Sequence, residues 1–129
     1  MGFILMLHSI VRWLVVIVAV VAIARYALAL AGKTQPGGLD RGLMTGYTGL
    51  LDLNVLLGLI VLIGLGLYSL PQIEHAVGNL IGVVVAHVFA QRARKQTDDK
   101  AIARLRLIGV VASILIIVAG VALVNGWQR

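Results

Sequence analysis

Four long apolar segments, separated by short polar connections, constrain the fold of this chain more than any other feature. They run over about 3–31, 43–69, 72–92 and 105–125. Each has about 20 residues or more, which is enough for a helix to cross the hydrocarbon core of a bilayer. With 60% hydrophobic and only 12% charged residues, a soluble domain of 129 residues could not bury its apolar surface. We therefore predict an all-α integral membrane protein: one transmembrane domain over 1–129, an up-down-up-down four-helix bundle in a lipid bilayer.

The distribution of positive charge predicts the orientation of this bundle. Most Lys and Arg residues lie in or beside the first and third connections: Arg25, Lys33, Arg41, Arg92, Arg94, Lys95, Lys100, Arg104 and Arg106. Basic connections favour the cytoplasmic side, so both termini should lie on the periplasmic side of a bacterial inner membrane. The net charge of +6 does not predict nucleic-acid binding, because it is concentrated in these two connections.

Several classes of chemistry are excluded by residue content. The chain has no cysteine, so it cannot form a disulfide, a thiolate nucleophile, an iron–sulfur cluster or a c-type haem attachment. No hydrolytic or transferase pattern and no dinucleotide-binding motif is present. If the protein takes part in an enzymatic reaction, we expect it to be an electron-transfer component at most.

The third segment carries the clearest chemical signal, in the stretch IEHAVGNLIGVVVAH at 73–87. At ~100° per residue, His75, Gly78, Asn79 and Gly82 fall on one stripe of a helix. Such glycines let a second helix or a flat ligand approach closely. His87 lies roughly 18 Å further along the axis, so one straight helix cannot present both histidines to one metal ion.

The other segments supply residues that could meet this stripe. His8 and Arg12 share a predicted inward face of the first segment with Val15, Ala19, Ala22 and Tyr26. In the second, a polar and small stripe is predicted to face inward: Thr45, Thr48, Gly49 and Asp52. In the fourth, Gly109, Ser113 and Gly120 are predicted packing positions, and Trp127 is a predicted interfacial anchor.

Helical rise sorts the ionisable residues into two levels. Counted from the outer ends, His75 lies ~5 Å deep, His8 ~8 Å and Arg12 ~14 Å. On the same count, His87 lies ~22 Å deep and Asp52 ~27 Å. We therefore predict an outer group around His8 and His75, and an inner carboxylate–imidazole pair of Asp52 and His87 inside the bundle. The pair suits a proton relay, the orientation of His87 as a ligand, or a purely structural contact.

The outer group meets the requirements of a b-type haem (heme b). Two neutral imidazoles on facing helices, His8 and His75, would ligate the iron. Gly78 and Gly82 would admit the porphyrin, and Arg12 would offset the propionates. A structural interpretation is also open, in which both histidines are ordinary hydrogen-bonded residues and the glycines serve helix packing. Arg12 would then extend towards water or pair with Glu74 or Asp52.

Three stretches resemble a group of small four-span bacterial membrane proteins that are cytochrome b-like. They are HSIVRW at 8–13, LLDLNVLLGL at 50–59 and IEHAVGNLIGVVVAH at 73–87. The resemblance implies a four-helix fold and haem ligation by His8 and His75, with His87 as a further candidate. Larger two-haem cytochromes of this kind carry a pair of histidines on each of two helices. This chain has a pair on one helix and a single histidine on another, which implies one haem or none.

Two functional hypotheses follow. The first is a small b-type cytochrome that passes electrons between the quinone pool and a membrane or periplasmic partner. The second is a cofactor-free bundle that acts as a membrane anchor, accessory subunit or quinone-binding subunit, with a membrane protein or a second copy as partner. An ion-coupled transporter is disfavoured, because the four short spans lack the internal inverted repeat of such folds.

Overall fold

The computed structural model describes residues 2–34, 37–66 and 70–123 as four α-helices joined by short connections. These are α1 (Gly2–Leu30), α2 (Gly38–Leu65), α3 (Leu70–Arg94) and α4 (Asp99–Leu123). The described residues contain no β-strand. The predicted all-α four-helix architecture is therefore confirmed.

The helices form an antiparallel ring in chain order. Helix α1 packs against α2 and α4, and α3 packs against the same two helices, so α1 and α3 are diagonal. The α3–α4 interface is the most extensive of the four, and the α2–α3 interface is the least. Contacts between the start of one helix and the end of the next, such as His8 with Gly58, establish the antiparallel direction.

The outside of the bundle is apolar, as contact with lipid requires. Each helix exposes large aliphatic side chains, including Val20, Ile63, Val84 and Leu115. All four helices are long and apolar enough to cross a membrane. These properties support a multi-pass integral membrane protein and fit the strong hydrophobicity of the sequence.

Two helices begin earlier than the apolar segments predict. Helix α2 begins at Gly38 rather than near 43, and α4 begins at Asp99 rather than near 105. At α4 the side chain of Asp98 accepts a hydrogen bond from the backbone N–H of Ala101 at 3.3 Å, which caps a polar first turn. Hydropathy locates the lipid-spanning part of a helix but not the polar turns that extend it.

The connection between α2 and α3 also differs from the prediction. Helix α2 ends at Leu65, where Gly66 adopts a left-handed conformation with φ of 65°. Pro71 lies in the first turn of α3 rather than in a connection, a position where its missing N–H costs no helical hydrogen bond. The predicted end of the second segment at 69 and the anchor Trp127 lie outside the described residues.

The predicted inward face of α1 is confirmed, whereas that of α2 is wrong. Arg12, Val15, Ala19, Ala22 and Tyr26 are all buried. On α2 the buried face includes Met44, Tyr47, Leu51, Asn54 and Leu57. Of the predicted polar stripe only Thr48 is buried, and Thr45, Gly49 and Asp52 are exposed.

Hydrogen bonding explains why α2 takes this rotation. The Tyr47 hydroxyl bonds to the Ser113 hydroxyl at 2.6 Å across the core, so a large aromatic residue is buried with its polar atom satisfied. The Thr48 hydroxyl donates to the carbonyl of Met44 at 3.0 Å within its own helix, and it needs no partner on another helix. The hydrogen bonding of Thr48 therefore does not determine the rotation of α2, although this residue is buried.

Candidate functional site

Each histidine of the outer group rests on a glycine of the next helix. A Cβ atom added at Gly58 of α2 would lie 3.1 Å from Cε1 of His8, and one added at Gly120 of α4 would lie 3.5 Å from Nδ1 of His75. The α1–α2 and α3–α4 hairpins thus repeat one arrangement, in which an imidazole fills the space that a missing side chain leaves. Because His8 and His75 belong to diagonal helices, this arrangement places them on opposite sides of the same end of the bundle.

His8 and His75 lie at one level, as the depth count predicts. His75 and Arg12 both lie within electrostatic range of the imidazole of His8. Both imidazoles are half-buried, whereas Arg12 is buried with 7% of its surface exposed. The sequence therefore brings two imidazoles and a buried guanidinium together near the chain-terminal end of the bundle.

A layer of buried polar side chains lies one helical turn deeper. Arg12 follows His8 by one turn on α1, Asn79 follows His75 by one turn on α3, and Asn54 precedes Gly58 by one turn on α2. All three of these polar side chains are buried. The Asn54 side chain and backbone also lie against the imidazole of His8.

Several atoms of this region are buried without a hydrogen bond in the described part of the chain. They are Nδ1 of His8, Oδ1 of Asn54 and Oδ1 of Asn79. The Asn79 amide makes one long contact of 3.4 Å, in which its N–H donates to Nε2 of His75. Buried polar atoms in proteins are nearly always hydrogen-bonded, so such a group of exceptions is typical of a site that binds something further.

Gly78 and Gly82 lie on the side of α3 that faces α4. A Cβ atom at Gly82 would lie 2.8 Å from Cγ1 of Ile117, and one at Gly78 would lie 3.9 Å from Cα of Gly120. Both glycines therefore face α4 and permit the close packing of α3 against it. The helix-packing interpretation is confirmed for them, and the haem proposal below does not use them.

Asp52 and His87 pair as predicted, but not inside the bundle. Nε2 of His87 lies 2.9 Å from Oδ1 of Asp52, across the interface of α2 and α3. The side chain of His87 is 44% exposed and that of Asp52 is 52% exposed, so the predicted interior position is wrong. The α2–α3 interface is the loosest of the four, which leaves the pair on an open seam. His87 is therefore bonded at the α2–α3 interface and does not belong to the outer group of His8 and His75.

The structure bears on the predicted pairing of Arg12 with Asp52 or Glu74 and on its predicted extension into water. Asp52 pairs with His87, and Glu74 is exposed at the beginning of α3. The Arg12 guanidinium lies 5.6 Å from the centre of the Trp13 ring, a cation–π contact. Its burial excludes the interpretation that the side chain extends into water.

Sequence reasoning missed Gly58, Gly120 and Asn54 as neighbours of the histidines. Helical spacing could have indicated Asn54 and Gly58, because these residues are one turn apart on α2 just as His8 and Arg12 are on α1. Within the described residues, no three His, Asp or Glu side chains are arranged to hold a metal ion.

No protein-family model, curated protein or solved structure matches this chain. The functional interpretation therefore depends on the chemistry of its own residues.

Proposed function

We propose that this protein is a small b-type cytochrome of a bacterial inner membrane, with one haem held by His8 and His75. It would pass electrons between the quinone pool and a membrane or periplasmic partner. The observation that carries the proposal is the presence of two imidazoles from diagonal helices at the same end of the bundle, within electrostatic range of each other and with a buried arginine one turn deeper. When bound, haem supplies a one-electron redox centre whose potential depends on the axial ligands and on the polarity around them.

The residues present fit such a group. Nδ1 of His8 makes no hydrogen bond in the described part of the chain, although Asn54 bonds to the same ring. His75 would give up its 3.4 Å contact with Asn79, which is a weak hydrogen bond. The ring of His8 lies so near α2 that a Cβ atom at Gly58 would crowd it, and a Cβ atom at Gly120 would lie at ordinary contact distance from the ring of His75.

Arg12 and the two asparagines would adapt the site to a charged cofactor. A buried guanidinium stabilises nearby carboxylates, and haem carries two propionates. The free amide oxygens of Asn54 and Asn79 can accept hydrogen bonds from an N–H group of each imidazole, which would fix the ring nitrogen that faces the iron. The chain thus contains a ligand pair, an anion partner and groups to orient the ligands.

The proposal is tested by an absorption spectrum of protein purified from a haem-replete host. We expect a Soret band and, after reduction, a sharp α-band typical of a six-coordinate b-type centre. His8→Ala and His75→Ala should each lose or convert this spectrum. His87→Ala is the matched control, because it removes an imidazole from the open seam and should leave the spectrum intact. Folding of every variant is checked by far-UV circular dichroism and size-exclusion chromatography.

Two results would contradict the proposal. Well-folded wild-type protein that neither carries haem nor takes it up from added haemin would exclude the cytochrome. Haem loss in His87→Ala, with His75→Ala unaffected, would keep a cytochrome but move the site to the seam.

A second candidate function is a cofactor-free, quinone-binding subunit, and the Asp52–His87 pair favours it. A histidine–carboxylate pair about half exposed on a membrane-spanning surface is costly, and such residues usually mark a site. When Nε2 of His87 donates its hydrogen to Asp52, Nδ1 of a neutral imidazole is an acceptor and would take a hydrogen bond from the hydroxyl of a reduced quinone. The carboxylate would hold the imidazole in that orientation.

Quinone binding is measured with a short-chain quinone and purified protein in detergent. Asp52→Asn and His87→Gln should each weaken binding, whereas His8→Ala should not. Binding without any haem spectrum would favour the subunit over the cytochrome, and binding that is unchanged in both seam variants would exclude the seam as the quinone site.

A further inference from the structure

The end of the bundle opposite the histidines contains a cavity of about 520 Å³ between three helices. Its polar lining comes from the beginning of α2, the end of α3 and the beginning of α4: Gly37, Arg41, Arg94, Gln96, Asp99 and Arg106. Three arginines against one aspartate give the cavity an excess of positive charge. This end also contains both basic connections, so the cavity lies where the apolar spans end and polar residues begin.

Arg106 is the most unusual residue of this cavity. It is only 7% exposed, yet neither of the two ion pairs found in the described part of the chain includes it. Its guanidinium lies 6.0 Å from the centre of the Tyr26 ring. The Tyr26 hydroxyl is in turn fixed by a 2.8 Å hydrogen bond to the carbonyl of Asp40. A buried cation held on a fixed aromatic ring, without a carboxylate partner, requires an anion from elsewhere.

Neighbouring acidic residues do not supply that anion. Asp40 is fully buried, and its Oδ1 accepts a 3.0 Å hydrogen bond from Nε of Arg25. Asp99 is the one carboxylate that lines the cavity, and it stands against three arginines. The beginning of α2 adds further positive potential, because its N-cap residue Gly37 provides no side-chain hydrogen bond to the first turn.

We propose that this cavity binds a phosphate ester, and that Arg106 is its central anion-binding residue. Arginine suits phosphate because its planar guanidinium donates two parallel hydrogen bonds to phosphate oxygens. The volume exceeds that of a phosphate ion and accommodates the glycerol phosphate of a lipid headgroup. The site is distinct from the proposed haem site and does not depend on it, since the two lie at opposite ends of the bundle.

The test uses the full-length protein in a neutral detergent, with binding measured by native mass spectrometry. Phosphatidylglycerol is compared with phosphatidylcholine of the same acyl chains. Inorganic phosphate is compared with chloride at equal ionic strength by thermal shift. We expect Arg106→Gln to weaken phosphatidylglycerol binding by about tenfold or more, which is the loss of a charge-assisted hydrogen bond.

Arg104→Gln is the matched control. It removes the same charge from an exposed position on the same helix that does not line the cavity, and it should change binding by no more than about twofold. Arg94→Gln is a second test variant, because Arg94 lines the cavity but is exposed, so its loss should weaken binding without disturbing folding.

The outcomes separate the two sources of phosphate. Arg106-dependent preference for phosphatidylglycerol assigns the site to an anionic lipid. Arg106-dependent stabilisation by inorganic phosphate, without lipid preference, assigns it to a soluble phosphate compound. Equal losses in Arg104→Gln and in both cavity variants would overturn the proposal, because binding would then follow net charge. No response to either probe would overturn it as well.

Discussion

Replacing Gly109 by alanine is the sharpest test of the packing that holds α3 and α4 together. A Cβ atom at this position would lie 2.6 Å from Cβ of Phe89 and 3.3 Å from its Cγ. Carbon atoms pack favourably at about 3.5–4.0 Å, so the variant needs roughly 1 Å of additional space. Because Cβ of Phe89 is bonded directly to the backbone, a change of rotamer cannot provide that space. The two helices must move apart at their tightest contact.

The expected change in the stability of Gly109→Ala is the difference between two opposing effects. Overpacking of this kind costs about 1–3 kcal/mol. Alanine in place of glycine within a helix gains up to about 1 kcal/mol through helix propensity. Gly49→Ala isolates the second effect, because Gly49 lies within α2 and its Cβ would meet no atom within 4 Å. We therefore expect Gly109→Ala to be less stable than Gly49→Ala by about 1–3 kcal/mol.

The measurement is unfolding of each variant by sodium dodecyl sulfate in mixed micelles, followed by far-UV circular dichroism. Free energies are compared at one mole fraction of denaturing detergent, and native helix content is compared before unfolding. Equal stability of the two alanine variants would refute the close approach of Gly109 and Phe89, and with it the tight α3–α4 interface.

Three further predictions use other contacts of the structure. Tyr47→Phe removes the 2.6 Å hydrogen bond to Ser113 and should cost about 0.5–1.5 kcal/mol in the same unfolding assay; no change would mean that the bond does not form. Arg25→Leu leaves the fully buried carboxylate of Asp40 without its ion-pair partner and should cost about 3–5 kcal/mol, whereas Arg25→Lys should cost less. Cysteines at Gly37 and in the α3–α4 connection should be shielded from an impermeant thiol reagent in intact cells, and labelling of both from outside would reverse the predicted orientation.

The fold was predictable because hydropathy and helical period act over whole segments. Four apolar stretches determine four spanning helices whatever their individual side chains, and the connections are too short to permit another order. The inward face of α1 was predictable for the same reason, since Arg12, Ala19 and Tyr26 repeat at helical spacing on one face of that helix.

The rotation of α2 was not predictable from its polarity, because a membrane helix can satisfy a hydroxyl internally. Thr48 bonds to a carbonyl of its own helix, whereas the inward residue Tyr47 bonds to a serine more than sixty positions away. Only the second contact constrains how α2 faces the bundle, and a single sequence contains no sign of it. The Asp52–His87 pair illustrates the same limit, since spacing predicts that the residues meet but not whether a third helix covers them.

The distribution of satisfied and unsatisfied polar groups distinguishes structural residues from candidate sites in this bundle. Tyr26 and Tyr47 are fully buried, and each hydroxyl has a partner within the protein, so these groups are explained by the fold alone. Nδ1 of His8 and the guanidinium of Arg106 are different. Nδ1 of His8 is buried without a hydrogen bond in the described part of the chain, and Arg106 is buried in the lining of the basic cavity without an ion pair there. In a bilayer the cost of such groups is not relieved by bulk water. The two positions lie at opposite ends of the bundle, and we propose that a haem iron would satisfy the first and a phosphate ester the second.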